Sequence, residues 1–183
     1  MLIHPREEYS STYLIPYQEF YDKGYRAIIF DIDNTLVPHG APADDRSRKL
    51  CRNLKEMGFS LCLLSNNNTR RVEPFAKELG TLFIASAAKP TKKGYLRAAE
   101  LMEVNADQIL FIGDQILTDI IGANRVGYYS ILVAPIQKKE EIQIVLKRFV
   151  ERIYLFFYRR SRKYKGDRPN RKNYEDNIPE EYR

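Results

Sequence analysis

The sequence predicts an α/β fold built on a doubly wound, mostly parallel sheet. Short apolar runs alternate with helical patterns that end on glycine. The runs read as strands buried on both faces. Polar residues capable of chemistry follow one run after another, and open α/β sheets bind their ligands beyond the carboxyl ends of the strands.

Taken in order, residues 1–25 are a lead-in, and the stretch Leu14-Ile15-Pro16-Tyr17 to Phe20-Tyr21 is aromatic enough to pack on the core or on a membrane surface. Ala27 to Phe30 forms the first strand, and Asp31-Ile32-Asp33-Asn34-Thr35 makes a tight acidic turn after it. Val37 to Pro42 is a loop by its proline and glycine content. From Ala43 to Met57 the pattern is helical, with Leu50, Leu54 and Met57 on one stripe and Gly58 behind them. Phe59 to Leu64 is the second strand, ending at Ser65-Asn66-Asn67-Asn68, and Arg70 to Leu79 is a helix stopped by Gly80. Leu82 to Ala85 is the third strand, followed by Ser86 to Pro90 and a helix over Lys92 to Met102. Ile109 to Ile112 is the fourth, ending at Gly113-Asp114; Gln115 to Arg125 is helical, and Tyr129 to Val133 closes a fifth strand. The core thus spans 26–137. A long amphipathic, basic helix is expected from Lys139 to Arg160, within a segment 138–165. A polar tail, 166–183, has the composition of a disordered segment.

Bulk charge says something about partners and nothing about fold. Thirty basic against 24 acidic side chains give +6. Much of the excess crowds into Arg159, Arg160, Arg162, Lys163, Lys165, Arg168, Arg171 and Lys172, which favours polyanionic surfaces. The two cysteines, Cys51 and Cys62, fall in a helix and a strand, so neither belongs to a disulfide framework or metal motif, and a reducing, cytoplasmic compartment is expected. Met1 to Ser10 lacks the apolar stretch of a secretory signal. No run approaches the ~20 apolar residues that span a bilayer.

Right-handed crossovers bring the carboxyl ends of parallel strands to one edge. Asp31, Asp33, Ser65, Lys89, Asp114 and Asp119 then meet there. Alone, Asp31 and Asp33 read equally well as a solvated acidic turn, Ser65 as a helix cap, Lys89 as a surface charge, Asn66 to Asn68 as turn residues, and Thr118-Asp119 as an ordinary helical pair. Their recurrence at four strand ends argues for a single site. Facing a phosphate ester, Asp31 can act as the nucleophile. Asp33 can protonate the leaving oxygen and then activate water. Asp114 and Asp119 add carboxylate, and an all-oxygen set suits Mg²⁺, which also relieves the repulsion among clustered acids. Asn34, Thr35, Ser65 and Asn66 are candidates for contacts to the phosphate. Lys89 can pair with both the carboxylates and the phosphate. His4 and His39 are not expected to take part.

These motifs resemble those of the haloacid dehalogenase superfamily of phosphohydrolases. Asp31-Ile32-Asp33-Asn34-Thr35 is similar to its first motif, Ser65 to its second, Lys89 to its third, and Gly113-Asp114 with Asp119 to its acidic fourth. The likeness covers roughly Ala27 to Val133. It implies a Rossmann-like core in which Asp31 is nucleophile and metal ligand, Asp33 the acid/base, Asp114 a metal ligand and Asp119 an acid that assists from behind the metal ligands, with Asp31, Asp33 and Asp114 as the expected Mg²⁺ set. Many members carry a cap domain, but the stretches 37–43 and 66–89 are too short to hold one, which marks the capless subclass III. An open site suits a phosphate carried on something large, since a lid is what selects small substrates. The Lys23-Gly24-Tyr25-Arg26 approach, Pro16 and the Gly113-Asp114-Gln115-Ile116-Leu117-Thr118-Asp119 motif resemble the YqeG-type branch, which is similar to mitochondrial phosphatidylglycerophosphate phosphatases. That implies conversion of phosphatidylglycerophosphate to phosphatidylglycerol, with 153–165 touching the inner face of the plasma membrane or packing on the core. Two alternatives stay open: a phosphatase for a phosphoprotein or nucleic-acid end, and a nucleic-acid- or ribosome-binding module with a vestigial site.

Overall fold

A computed structural model describes residues 3–137 and Tyr182. Its elements are β1 (Glu7–Tyr9), α1 (Tyr17–Asp22), β2 (Ala27–Phe30), α2 (Asp45–Glu56), β3 (Ser60–Leu64), α3 (Thr69–Leu79), β4 (Leu82–Ile84), α4 (Lys92–Met102), β5 (Ile109–Gly113), α5 (Ile121–Arg125) and β6 (Tyr129–Val133). The six strands form one sheet in the order β1-β6-β5-β2-β3-β4. Every pairing is parallel.

The continuous apolar runs are explained by the pleat. Successive side chains on a strand point to opposite faces, and both faces of this sheet are covered. Ile28 and Phe30 face one core layer, where they meet Phe20 of α1, Leu50 and Leu54 of α2 and Phe75 of α3. Ala27 and Ile29 face the other, with Tyr95 and Ala98 of α4 and Ala123 of α5. All four β2 residues are wholly buried. Local signals set the helix ends. Asp44 and Ser47 form a reciprocal capping box at α2. Asn68 accepts from Arg71 N at the start of α3, and Gly80 ends it in the left-handed conformation (φ 62°).

Two parts of the chain depart from expectation. The lead-in supplies an edge strand, β1, that pairs with β6 from Glu7↔Ile131 to Tyr9↔Val133. It is followed by a 3-10 turn, Thr12–Leu14, and α1. Of the two surfaces considered for its aromatic residues, the core is the one they occupy: Tyr13, Ile15, Tyr17 and Phe20 are buried. The Tyr13 hydroxyl donates to Leu36 O (2.7 Å), which ties the lead-in to the loop after β2. The second departure lies in 115–125, which is not one regular helix. Asp119 N and Ile120 N both donate to Gln115 O, which opens a π-helical turn over Ile116–Ile120 before α5 begins. The expected helix in 138–165 and the tail from 166 lie outside the described residues, apart from Tyr182, whose ring stands 5.6 Å from that of Tyr13.

The order of the strands sets the site. From β2 the chain winds outward through β3 and β4, then returns to β5 on the other side of β2 and continues to β6. The reversal between β2 and β5 opens a crevice at their carboxyl ends, the usual ligand position in such sheets.

Phe20 packs edge-on against Tyr25 and Tyr129, at 5.7 Å from each. Phe20→Ala should therefore cost about 3–5 kcal/mol in urea unfolding. A lead-in resting outside the core would leave the midpoint unmoved.

Candidate active site

Register brings the reacting groups together. Phe30 stands opposite Leu63 of β3 and Ile112 of β5. One or two residues further on, Asp31, Ser65 and Asp114 therefore leave the sheet side by side. Asp31 N still donates to Ile112 O (2.9 Å), so the first carboxylate is mounted on the rigid ladder itself.

Lys89 arrives from the loop after β4. Asn66 fixes its main chain, accepting from Lys89 N (2.7 Å) and donating to Lys89 O (3.4 Å). From this anchor the ammonium reaches Asp31 Oδ1 at 2.6 Å and Asp119 Oδ1 at 2.7 Å. Its side chain is 4 % exposed, against 11 % for Asp31 and 1 % for Asp119, so the three charges are shielded from water together. The π-helical turn puts Asp119 there: its Oδ2 accepts from Gln115 N (3.0 Å). Gly113 leaves it room, because a Cβ at that position would stand 2.6 Å from the Asp119 carboxylate.

Asp31, Asp114 and Asp119 offer carboxylate oxygens within 4.8 Å of one another, and all three are buried. The Thr35 hydroxyl lies between Asp31 Oδ2 (3.4 Å) and Asp114 Oδ1 (3.5 Å). Burial pushes the Asp31 carboxyl up to about 6, Lys89 opposes that rise, and the charges of Asp119 and Asp33 add to it. Burial acts to lower Lys89, but the Asp119 and Asp31 carboxylates outweigh it and hold the ammonium above its ordinary value. The donors of this cluster are all hard oxygens. The set fits a divalent cation. Both oxygens of Asp119 are engaged, by Lys89 and by Gln115 N. Asp31 Oδ2 and Asp114 Oδ1, which flank the Thr35 hydroxyl, would hold the ion.

Three expected roles look different in the structure. Asp33 was expected to lend its carboxylate to the metal set, but Oδ2 accepts from Asn67 Nδ2 (2.6 Å) and Oδ1 from Gly40 N (2.8 Å) and Arg71 Nη2 (3.3 Å). The carboxylate that closes the cluster is Asp119. Asn34, expected to meet phosphate, is buried with a left-handed φ of 64°. Its Oδ1 accepts from Gln137 N (3.3 Å), so it ties the turn to the segment after β6. Asn66 positions Lys89 through its amide. Ser65 is buried beside the site; its Oγ accepts from Asn67 N (3.1 Å), which leaves the hydroxyl proton for a ligand oxygen.

Asn67 and Arg71 were missed. Arg71 also donates to Ala41 O (2.6 Å), so it clamps the 38–41 loop to the start of α3. Nothing in the sequence signals a contact between residues this far apart. The imidazole of His39, not expected to take part, is exposed, with Nδ1 4.0 Å from Asp33 Oδ1.

Comparison with known proteins gives consistent similarities. A family model described as haloacid dehalogenase-like hydrolase matches residues 39–127. The chain is 38% identical over 149 residues to a Bacillus subtilis (strain 168) protein described as "Probable phosphatase YqeG", covering 81% of this chain and 87% of that one. It is 28% identical over 143 residues to "Phosphatidylglycerophosphate phosphatase 1, chloroplastic" of Chlamydomonas reinhardtii, covering 72% of this chain and 53% of the relative. The corresponding chloroplastic/mitochondrial protein of Arabidopsis thaliana is 24% identical over 148 residues, with 75% of this chain and 42% of the relative covered. The chain thus spans about half the length of these two relatives or less. Among solved structures, an uncharacterized protein from Listeria monocytogenes serotype 4b shares the fold, with a TM-score of 0.52 at 20% identity over 63% of this chain and 84% of that one.

Lys89→Met would leave Asp31 and Asp119 buried without their counter-ion, and should cost about 3–5 kcal/mol at neutral pH in urea unfolding. The pH dependence has a definite sign. The folded pKa of Asp31, about 6, lies above its ordinary 3.8. Its contribution to stability is therefore complete below the ordinary value and lost as pH rises through the folded one. Without Lys89 that loss grows, so the gap between variant and native chain should widen on going from acid to neutral pH. A gap independent of pH would mean that Lys89 does not compensate these carboxylates.

Proposed function

Because the chain belongs to the haloacid dehalogenase-like hydrolases and is a phosphatase, we propose that it hydrolyses the phosphomonoester of phosphatidylglycerophosphate, with Mg²⁺, through a phosphorylated Asp31. The observation that carries the chemistry is the buried Asp31–Lys89–Asp119 chain beside Asp114. The substrate rests on the names of the relatives and on the openness of the site. Between β2 and α2 there is only a short loop, and between Ser65 and Lys89 only α3 and β4, so neither stretch adds a covering domain.

The steps use this chain's own groups. An Asp31 carboxylate oxygen attacks phosphorus, the P–O bond to the lipid breaks, and Asp33 supplies the proton that the departing alkoxide takes up. Water then attacks the phosphorus, Asp33 receives its proton, and the bond to Asp31 breaks to give inorganic phosphate and the free carboxylate. Lys89 neutralises Asp31 between turnovers, and the Ser65 hydroxyl donates to a phosphoryl oxygen. Mg²⁺, when held by Asp31 and Asp114, supplies charge neutralisation for the phosphate. Asn67, Gly40 and Arg71 keep the Asp33 carboxylate in one orientation. The enzyme then works in the cytoplasm at the inner face of the membrane, with contact expected from 153–165, outside the described residues.

Incubation with phosphatidylglycerophosphate and Mg²⁺ should release phosphate, and faster release from a phosphopeptide or a 5′-phosphorylated oligonucleotide would overturn the lipid assignment. Asp31→Asn should reduce turnover of every phosphoester to background; retained turnover would remove Asp31 as the nucleophile. Magnesium affinity, measured by calorimetry, should weaken as pH falls through about 6, because the cation competes with the proton on Asp31. Affinity that stays flat through that range would exclude Asp31 from the metal set.

A further inference from the structure

The sheet ends at β4, a strand of three residues that pairs with β3. Beside it lies a cleft of about 530 Å³, within the range of small-molecule sites, roughly 300–1,000 Å³. Phe83, Ile84 and the loop to Ala88 form one wall, and Lys93, Arg97 and Leu101 of α4 form the other. Spacing of four residues sets those three on one helix face. Gly94 lets the walls approach, since a Cβ there would stand 2.8 Å from Ala87 O.

Three features give this cleft a chemical character. The large hydrophobic side chains exposed among the described residues are Leu82, Leu96 and Leu101, and all three stand on β4 or α4. Of these, Leu101 lines the cleft, while Leu82 and Leu96 stand on the same two elements outside its lining. Lys93 and Arg97 are exposed and stand outside the ion pairs found among the described residues, so two cations border a cleft whose lining mixes polar and apolar groups. The cleft also adjoins the active site. Its wall residue Ala88 precedes Lys89, Ser86 N donates to Asn67 O (2.7 Å), and Ala87 N donates to Ser65 O (3.0 Å).

We propose that the β4–α4 cleft binds the body of an anionic phospholipid, with Lys93 and Arg97 pairing with the phosphodiester and Phe83 and Leu101 meeting the first acyl carbons. Two cations beside Leu101 and Phe83, in a cleft of mixed polarity, suit an anionic amphiphile. An added peptide strand would need a longer edge than three residues and has no use for the two charges. The inference deepens the lipid reading above and rests on it: the monoester reaches Asp31 while the rest of the same molecule lies along the cleft.

Binding separates the two claims. Full-length chain is titrated by calorimetry with dihexanoyl phosphatidylglycerol below its micelle concentration, with dihexanoyl phosphatidylcholine as the zwitterionic probe. K93E/R97E should weaken the anionic lipid by about tenfold or more, and K93Q/R97Q should weaken it in the same direction by less. K49E/R52E makes the same charge change on α2, on the opposite face of the sheet, and should leave affinity unchanged. Equal binding by all variants, or equal weakening by the α2 pair, overturns the cleft assignment. So does a dimer, seen by sedimentation, that only the α4 pair disrupts without an effect on lipid. If the native chain hydrolyses phosphatidylglycerophosphate yet its lipid binding ignores Lys93 and Arg97, the cleft fails and the substrate stands. If binding depends on them but the lipid monoester is not hydrolysed, the substrate fails and the cleft stands.

Discussion

The ammonium of Lys89, held between Asp31 and Asp119, is the interaction on which the rest of the site depends. Each carboxylate taken out of water carries a desolvation cost of several kcal/mol, and this chain takes in three at one sheet edge. A buried cation at 2.6 and 2.7 Å offsets that cost for two of them. Much of the surrounding detail serves its placement. Asn66 grips the lysine main chain, Gly113 makes room for Asp119, and the π-helical turn delivers Asp119 from a segment that a regular helix would carry past. Single-turn π-bulges recur at functional sites for this kind of reason.

Lys89 does not fully offset the burial of Asp31. Lys89 reaches Asp31 Oδ1, while Asp31 Oδ2 faces Asp114 across a neutral hydroxyl, that of Thr35. The raised pKa of Asp31 expresses the same imbalance, since burial and neighbouring acids outweigh the lysine. A fully compensated set of acids would be a structural ion pair network. An Asp31 carboxyl held above its ordinary value at the sheet's switch point is suited to the uptake of a cation.

Much of this could be read from the residues, because the signals were local. Buried parallel strands announce themselves as unbroken apolar runs, and Tyr129–Val133 and the helix Lys92–Met102 have the limits that pattern predicts. The convergence of Asp31, Ser65, Lys89 and Asp114 followed from parallel topology alone. What escaped depended on distant partners. β1 carries Glu7 and Glu8 in three residues, so no apolar run marks it; it exists because β6 offers an edge, and the Glu7 carboxylate accepts from the hydroxyls of Tyr9 and Tyr129. Asn34 looked like a phosphate contact because turn residues near a nucleophile often are, yet its amide answers a backbone donor over a hundred positions away. Asp33 looked like a ligand because it neighbours one, but alternate residues after a strand need not point to the same place.

That last point bears on how Asp33, the proposed acid/base group, is oriented. A covering domain would orient such a carboxylate by enclosing it with the substrate. Here the orientation comes from beneath and beside: Asn67 from the loop after β3, Arg71 from the first turn of α3, and Gly40 N from the loop after β2. Arg71 holds that loop as well, through Ala41 O, so Asp33 and the 38–41 loop are fixed by one side chain. Orientation supplied in this way needs no covering domain, which suits the proposed reaction of a phosphate attached to a bulky carrier. The restraint on Asp33 thus belongs with the proposed chemistry, since without it the proposed proton donor could turn away from the leaving oxygen.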